Sequence, residues 1–310
     1  MLSLAPVPAT PPETPLWTLI SRSVAKQMTG IEWADFTGNP WAGCTRVRAV
    51  ADAMSGCDIC YAETFCGRRL GVAWGDEAPR RKIESFHNRM RRLDRLAAKT
   101  GMPFAVFSLS LGDWLDPVVD PQWRSEMIDT VEACPHLTWL LLTHRPRLAA
   151  KFLPAAWRDR PPANVWSGVT VDHPLHATRW NHHAEYWAHT GRAWVSAEPL
   201  AASLKGVPLD GAACIVLGGA SNTDDRRWAF YGRWVDEAVE QYGEERIFFK
   251  QYGVFRDDAY IGDKKKAGRD LDGRIYDRTP WPRHRDALKA AAAQIAAITD
   301  QGVGVALEEA

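Results

Sequence analysis

No stretch of this 310-residue sequence approaches the ~18 consecutive apolar residues that span a bilayer. The longest apolar runs are short, as at 137–142 and 212–217, so no membrane partner is expected. Net charge is also missing, because 38 basic residues balance 38 acidic ones. Without a global field to draw in a polyanion, any nucleic-acid contact needs a local patch. Internal repeats and low-complexity tracts are absent beyond a Pro-rich leader. The start, MLSLAPVPATPPETPLW, is interrupted by prolines and has no basic segment ahead of an apolar core. It does not read as a signal peptide, and a cytoplasmic protein is expected. Cysteine is scarce, with six in all, too few for a disulfide-stapled miniprotein. Four of the six fall within residues 44–66, and in a reducing compartment such clustering points to metal or redox chemistry.

What is present is ordinary globular material, 46% hydrophobic and 25% charged. Near-continuous apolar runs occur at 31–36, 104–110, 137–143, 165–171, 193–197, 214–218 and 247–250. Continuous rather than alternating runs suit strands covered on both faces, as in a parallel sheet. From the third run onward their centres lie about 20–35 residues apart, the length of a strand–helix–strand unit. Helical periodicity fills the gaps at 120–133 and 232–242. The expected fold is therefore α/β, a partial or full TIM-like barrel of six to seven parallel strands. Residues 1–28 are expected to form a loosely attached arm, 29–280 the barrel, and 281–310 an Ala-rich helical appendage.

The segment GNPWAGCTRVRAVADAMSGCDICYAE places Cys44, Cys57 and Cys60 in a Cys-x12-Cys-x2-Cys pattern directly after the first expected strand. In a barrel, loops at the C-terminal strand ends build the active site. Three thiolates there suit a 4Fe–4S cluster with one iron left open. Two other readings stand beside it. One is a structural zinc ion, for which Cys66 has to supply a fourth ligand. The other is three thiols without metal.

The phrases IEWADFTGNPWAGC and GCDICYAE are followed in order by SLGDWLDP, LLLTHRP, NVWSGVTVD, WVSAEPL, IVLGGAS, FFKQYG and GRDLDGR. Together they resemble the phage gene product 37/68 family, three-cysteine proteins similar to radical S-adenosylmethionine (SAM) enzymes. The likeness runs over roughly residues 29–280. Two features depart from the pattern. The Cys44–Cys57 spacer is long, and Leu111-Gly112-Asp113 stands where radical SAM enzymes carry Gly-Gly-Glu.

The resemblance implies a radical-SAM-like enzyme in which Cys44, Cys57 and Cys60 ligate a 4Fe–4S cluster. SAM is then the second cofactor, and a flavodoxin or ferredoxin the electron donor. It places Tyr61, Ser110, Asp113, Thr170, Gly218 and Gly219 around SAM, with Asp113 accepting from its ammonium. Glu198, Lys250 and Arg145 become catalytic or substrate residues at the barrel mouth.

A nucleic-acid base is the expected substrate. The segment RRKIESFHNRMRRLDR (80–95) reads as a helix that carries seven basic residues against two acidic ones, over an apolar stripe of Ile83, Phe86, Met90 and Leu93 at helical spacing. Its outer face, with Arg81, Arg89 and Arg92, offers phosphate contacts, and Lys264–Lys266 form a second small patch. The competing class is a zinc-stabilised, non-catalytic barrel that binds nucleic acid or protein.

Overall fold

The computed structural model describes residues 15–50 and 53–300. Seven strands form its sheet: β1 (Phe36–Gly38), β2 (Phe104–Ser108), β3 (Leu137–Thr143), β4 (Val165–Thr170), β5 (Ala193–Ala197), β6 (Cys214–Gly218) and β7 (Ile247–Gln251). All neighbours are parallel and follow chain order, and the sheet curls into a half-barrel with β1 and β7 as its edges. Each parallel pairing needs a crossover, and every crossover carries helix except the one from β5 to β6, where residues 198–213 form none. Among the described residues no helix is long and apolar enough to cross a membrane.

The sheet is buried on both faces, which is why its strands read as continuous apolar runs. Outward-facing Val106, Trp139, Leu141, Val195 and Leu217 pack with the helices in the main core. Inward-facing Phe107, Leu140, Trp194, Val216 and Phe248 form a separate inner cluster. Helix α1 (Tyr61–Phe65) follows the cysteine loop, and α2 (Phe86–Thr100) covers the outer face. Helix α2 buries Phe86, Met90, Leu93 and Ala97 at helical spacing and stops at Gly101, whose φ of 64° suits glycine. Helix α3 (Pro121–Glu132) starts where the Asp120 carboxylate accepts from Gln122 N, with Pro121 in the first turn.

Three expectations need correction. The apolar run 31–36 is not a strand before Phe36; residues 31–35 turn inward, and Trp33 packs inside the sheet against Phe107 and Trp194. The basic segment 80–95 is not one helix. Arg81–Lys82 pair antiparallel with Trp41–Ala42, and α2 begins only at Phe86. The expected arm is packed from residue 15 onward. Its short helices Leu16–Leu19 and Arg22–Ala25 bury Ile20 and Val24 in the main core, beside the C-terminal helix α4 (Arg285–Asp300). Residues 1–14 lie outside the described residues.

The open side of the half-barrel is stoppered by residues 276–285. Phe249 N donates to Tyr276 O at 2.8 Å, and Trp281 Nε1 donates to Trp33 O at 2.9 Å. Asp35 fastens the other side, accepting from Ala105 N and His284 N, each at 2.9 Å. Burial raises the Asp35 carboxyl to about 6, against the opposing pull of those N–H groups and Arg285.

That shift has a sign for stability. Between its ordinary value of 3.8 and about 6, the folded chain keeps a proton that the unfolded chain has released. The contribution of Asp35 is therefore full at low pH and is lost as pH rises through about 6. Relative to Asp35→Asn, the wild type is expected to gain up to ~3 kcal/mol between pH 7 and pH 4. Urea unfolding of both proteins across that range measures it. A difference that does not change with pH contradicts the raised carboxyl.

Candidate functional site

Side-chain alternation carries the inner face upward to a polar tier at the C-terminal strand ends. Above the apolar floor stand His144 after β3, Thr170 and Asp172 at β4, Ser196 and Glu198 at β5, and Lys250 at β7. The cysteine loop, which leaves β1, folds over this tier and is tied to it by two buried carboxylates.

Asp113 is the first. Its Oδ1 accepts from Leu115 N and Thr143 Oγ1, and its Oδ2 from His144 N and Arg145 Nη1. Burial pushes this carboxyl up, but Arg145 and the N–H donors outweigh burial and hold it below its usual range. Arg145, itself buried, then reaches the loop. It lies 3.5 Å from Cys44 Sγ and donates to Thr45 O. Arg80, paired with Asp116 at 2.7 Å, also donates to Thr45 Oγ1. Asp113 and Arg145 thus position Cys44. Both are engaged within the chain, Asp113 through both oxygens and Arg145 through Nη1 and Nη2.

Asp172 is the second. Its Oδ2 accepts from Gly56 N at 2.7 Å and lies 3.3 Å from Ser55 Oγ. Its Oδ1 pairs with His176 at 2.6 Å and Arg179 at 3.0 Å. Asp172, His176 and Arg179 recur at helical spacing (Asp-x3-His-x2-Arg), the sequence signal that marks them as one face. Sequence reasoning left this hub out of the site. Gly56 is required where the loop meets it, since a Cβ there stands 2.9 Å from Pro199.

The next residue, Cys57, places Sγ 4.0 Å from His144 Nδ1. Burial opposes its ionisation, yet the neighbouring imidazole prevails and lowers the thiol to about 7. Cys57 in turn raises His144, against burial. Cys44 is pushed far upward by burial. Cys60 caps α1 and is raised by burial, with the N–H groups of Glu63 and Ala62 pulling the other way. Tyr61 Oη donates to Ser110 O, while Ser110 Oγ is shared with Asn39. Asn222, from the loop after β6, donates to Ile59 O at 2.6 Å and clamps the cysteine turn from above.

Among the described residues no three His, Cys, Asp or Glu side chains stand close enough to share one ion. The proposed fourth zinc ligand, Cys66, is fully buried with Ala42 and Val72. A 4Fe–4S cluster asks for thiolates on separate irons; the thiols on offer are Cys44 beside Arg145, Cys57 beside His144 and Cys60 at the start of α1. Thr170 Oγ1, in a residue only 1% exposed, finds no hydrogen-bond partner among the described residues, a buried polar group facing the mouth.

Glu198 and Lys250 form one pair at 2.7 Å, and Trp33 Nε1 donates to the second Glu198 oxygen at 2.9 Å. Gly218 makes room for that carboxylate, since a Cβ there meets Glu198 Oε1 at 2.9 Å. Gly219 is pressed against the Tyr252 carbonyl, 1.8 Å from where a Cβ would sit. Both glycines are required by close packing within the chain.

The basic residues of 81–92 do not form one surface. Arg81 donates to Leu70 O, and Arg89 turns inward to the Thr37 carbonyl. Arg92 is exposed, but on α2 outside the half-barrel, away from the mouth.

No curated protein matches the sequence. Among solved structures, a point mutant of spore photoproduct lyase aligns with a TM-score of 0.38 and 11% identity, covering 97% of this chain and 86% of that one. Residues 28–280 match the model of a family described as protein of unknown function (DUF5131). The match takes in all seven sheet strands and all three loop cysteines, and the chain belongs to that family.

Proposed function

We propose that this chain is a radical-SAM-like iron–sulfur enzyme of the gene product 37/68 kind, acting on a nucleic-acid base. What supports this reading is the cysteine loop that leaves β1 and is tied to the strand ends, with Cys44 beside Arg145 and Cys57 beside His144. When bound, a reduced 4Fe–4S cluster with SAM supplies a 5′-deoxyadenosyl radical, which takes hydrogen from an unactivated carbon.

The chain's own residues do the rest. Cys44, Cys57 and Cys60 hold the cluster. Arg145 beside Cys44 and His144 beside Cys57 offset thiolate charge. Thr170 offers its unpartnered hydroxyl to a bound polar group. Glu198 and Lys250, set against each other and against Trp33, orient a hydrogen-bonding edge of the substrate. The tryptophan floor below keeps water from entering through the half-barrel's open side.

The test is anaerobic reconstitution with iron and sulfide, reduction, and addition of SAM. A brown protein with equimolar iron and sulfide that releases 5′-deoxyadenosine is expected, with no release from Cys57→Ala. A colourless protein that retains only zinc overturns the reading and favours the binding-protein alternative.

A further inference from the structure

The two loops that leave the edge strands carry a concentrated cationic and aromatic rim. Of the eight exposed large hydrophobic side chains among the described residues, six lie on the segments that leave these two strands. Tyr61 and Phe65 stand one helical turn apart on α1, and Tyr260 and Ile261 stand on the hairpin after β7. Beside α1 are Arg68 and Arg69, and beside the hairpin Lys264, Lys265 and Lys266, all exposed. None of these five cations has an ion-pair partner among the described residues. The nearby acids Glu63 and Asp58 are spent on Arg46 and on Ser55 N, and Asp263 accepts from Lys265 N.

Both loops face the same mouth. Tyr61 Oη donates to Ser110 O just past β2, and Tyr252 N, just past β7, donates at 3.2 Å to the carbonyl of Gly268, the residue that ends the Lys264–Ala267 turn. In a chain with no net charge, unpaired cations on both edges of one recess are a local feature.

We infer that this rim grips a single-stranded nucleic acid across the mouth, with Arg68 and Arg69 on one side and Lys264–Lys266 on the other taking phosphates. Tyr61, Phe65 and Tyr260 then stack the bases next to the one turned inward. Stacking platforms interleaved with cations are the means by which proteins hold single strands. A duplex is disfavoured because a paired base cannot reach the recessed tier. This inference rests on the reading of the mouth as the reaction site and names what that site takes.

The test is fluorescence anisotropy of the reconstituted full chain with a labelled 12-nucleotide mixed-sequence single strand at several salt concentrations. The triple change Lys264→Glu, Lys265→Glu and Lys266→Glu is expected to weaken binding at least ~10-fold and to reduce the log–log salt slope by about 2. Phe65→Ala and Tyr260→Ala are each expected to cost ~10-fold with the slope unchanged. Arg91→Glu with Arg92→Glu, on α2, is expected to leave affinity unchanged. Unaltered affinity in the rim variants overturns the inference, as does binding to phosphatidylserine vesicles without binding to the oligonucleotide. A protein that releases 5′-deoxyadenosine yet ignores the strand defeats this inference alone. A protein that binds the strand but assembles no cluster defeats the radical reading instead.

Discussion

Asp113→Ala is expected to cost ~3–5 kcal/mol of folding stability, because it strands a buried arginine. Arg145 keeps 8% of its side chain exposed, and its anionic partner is gone. The alanine also removes acceptors from Leu115 N, Thr143 Oγ1 and His144 N. Removing one partner of a buried pair is costly, whereas removing both is often nearly neutral. The double variant Asp113→Ala with Arg145→Met is therefore expected to recover much of the loss. Urea denaturation of wild type, the two single variants and the double variant decides it. A single-variant cost under ~1 kcal/mol, or a double variant worse than the sum of its parts, contradicts the hub. Acid reports on the same group. Its folded carboxyl lies below the ordinary range, so its contribution is present above ~3.8 and is lost as pH falls below that. Because Arg145 also holds Thr45 O, the variant is further expected to lower iron retention, which a purely local packing defect does not predict.

The strands were the legible part of this fold. Leu137–Thr143 and Ala193–Ala197 coincide with their apolar runs because both faces of an inner strand are covered. The run 31–36 looked the same and is not a strand. Trp33 and Ala34 are buried as a plug, and burial alone does not distinguish a plug from a pleat. The stripe at Phe86, Met90 and Leu93 was a sound helical signal, but Ile83 fell on it by coincidence. Ile83 packs instead with Cys66 and Val72, beyond the helix start. The three loop cysteines stood out by their spacing, and the strand ends stood out by position. What the sequence withheld was partner choice. Asp113 read as a carboxylate at a barrel mouth, and nothing local revealed that Arg145, about thirty residues on, would consume it. The same holds for Asp172, whose partners come from Ser55 and Gly56 on one side and His176 and Arg179 on the other.

The tryptophan stopper carries the second large expected effect. Trp281 is 2% exposed, lies 5.5 Å from Trp166 and 5.4 Å from Trp194 between ring centroids, and donates to Trp33 O. Trp281→Ala empties the centre of the inner cluster, where large-to-small changes at aromatic residues cost ~3–5 kcal/mol. At roughly 2–4 °C per kcal/mol for a chain of this class, the melting temperature is expected to fall by about 10 °C. Trp281→Phe, which restores ring packing but not the hydrogen bond, is expected to lose only ~1–2 kcal/mol. The effect reaches the site through a short chain of contacts. Trp33 loses its donor partner, and Trp33 Nε1 is the group that fixes the second oxygen of Glu198. The Glu198–Lys250 pair is thus expected to loosen while the outer rim is untouched. Oligonucleotide affinity should then hold, and turnover per assembled cluster should fall. A variant as stable as wild type, or one that loses strand binding in proportion to turnover, argues that the inner tryptophans neither close the half-barrel nor position the carboxylate above them.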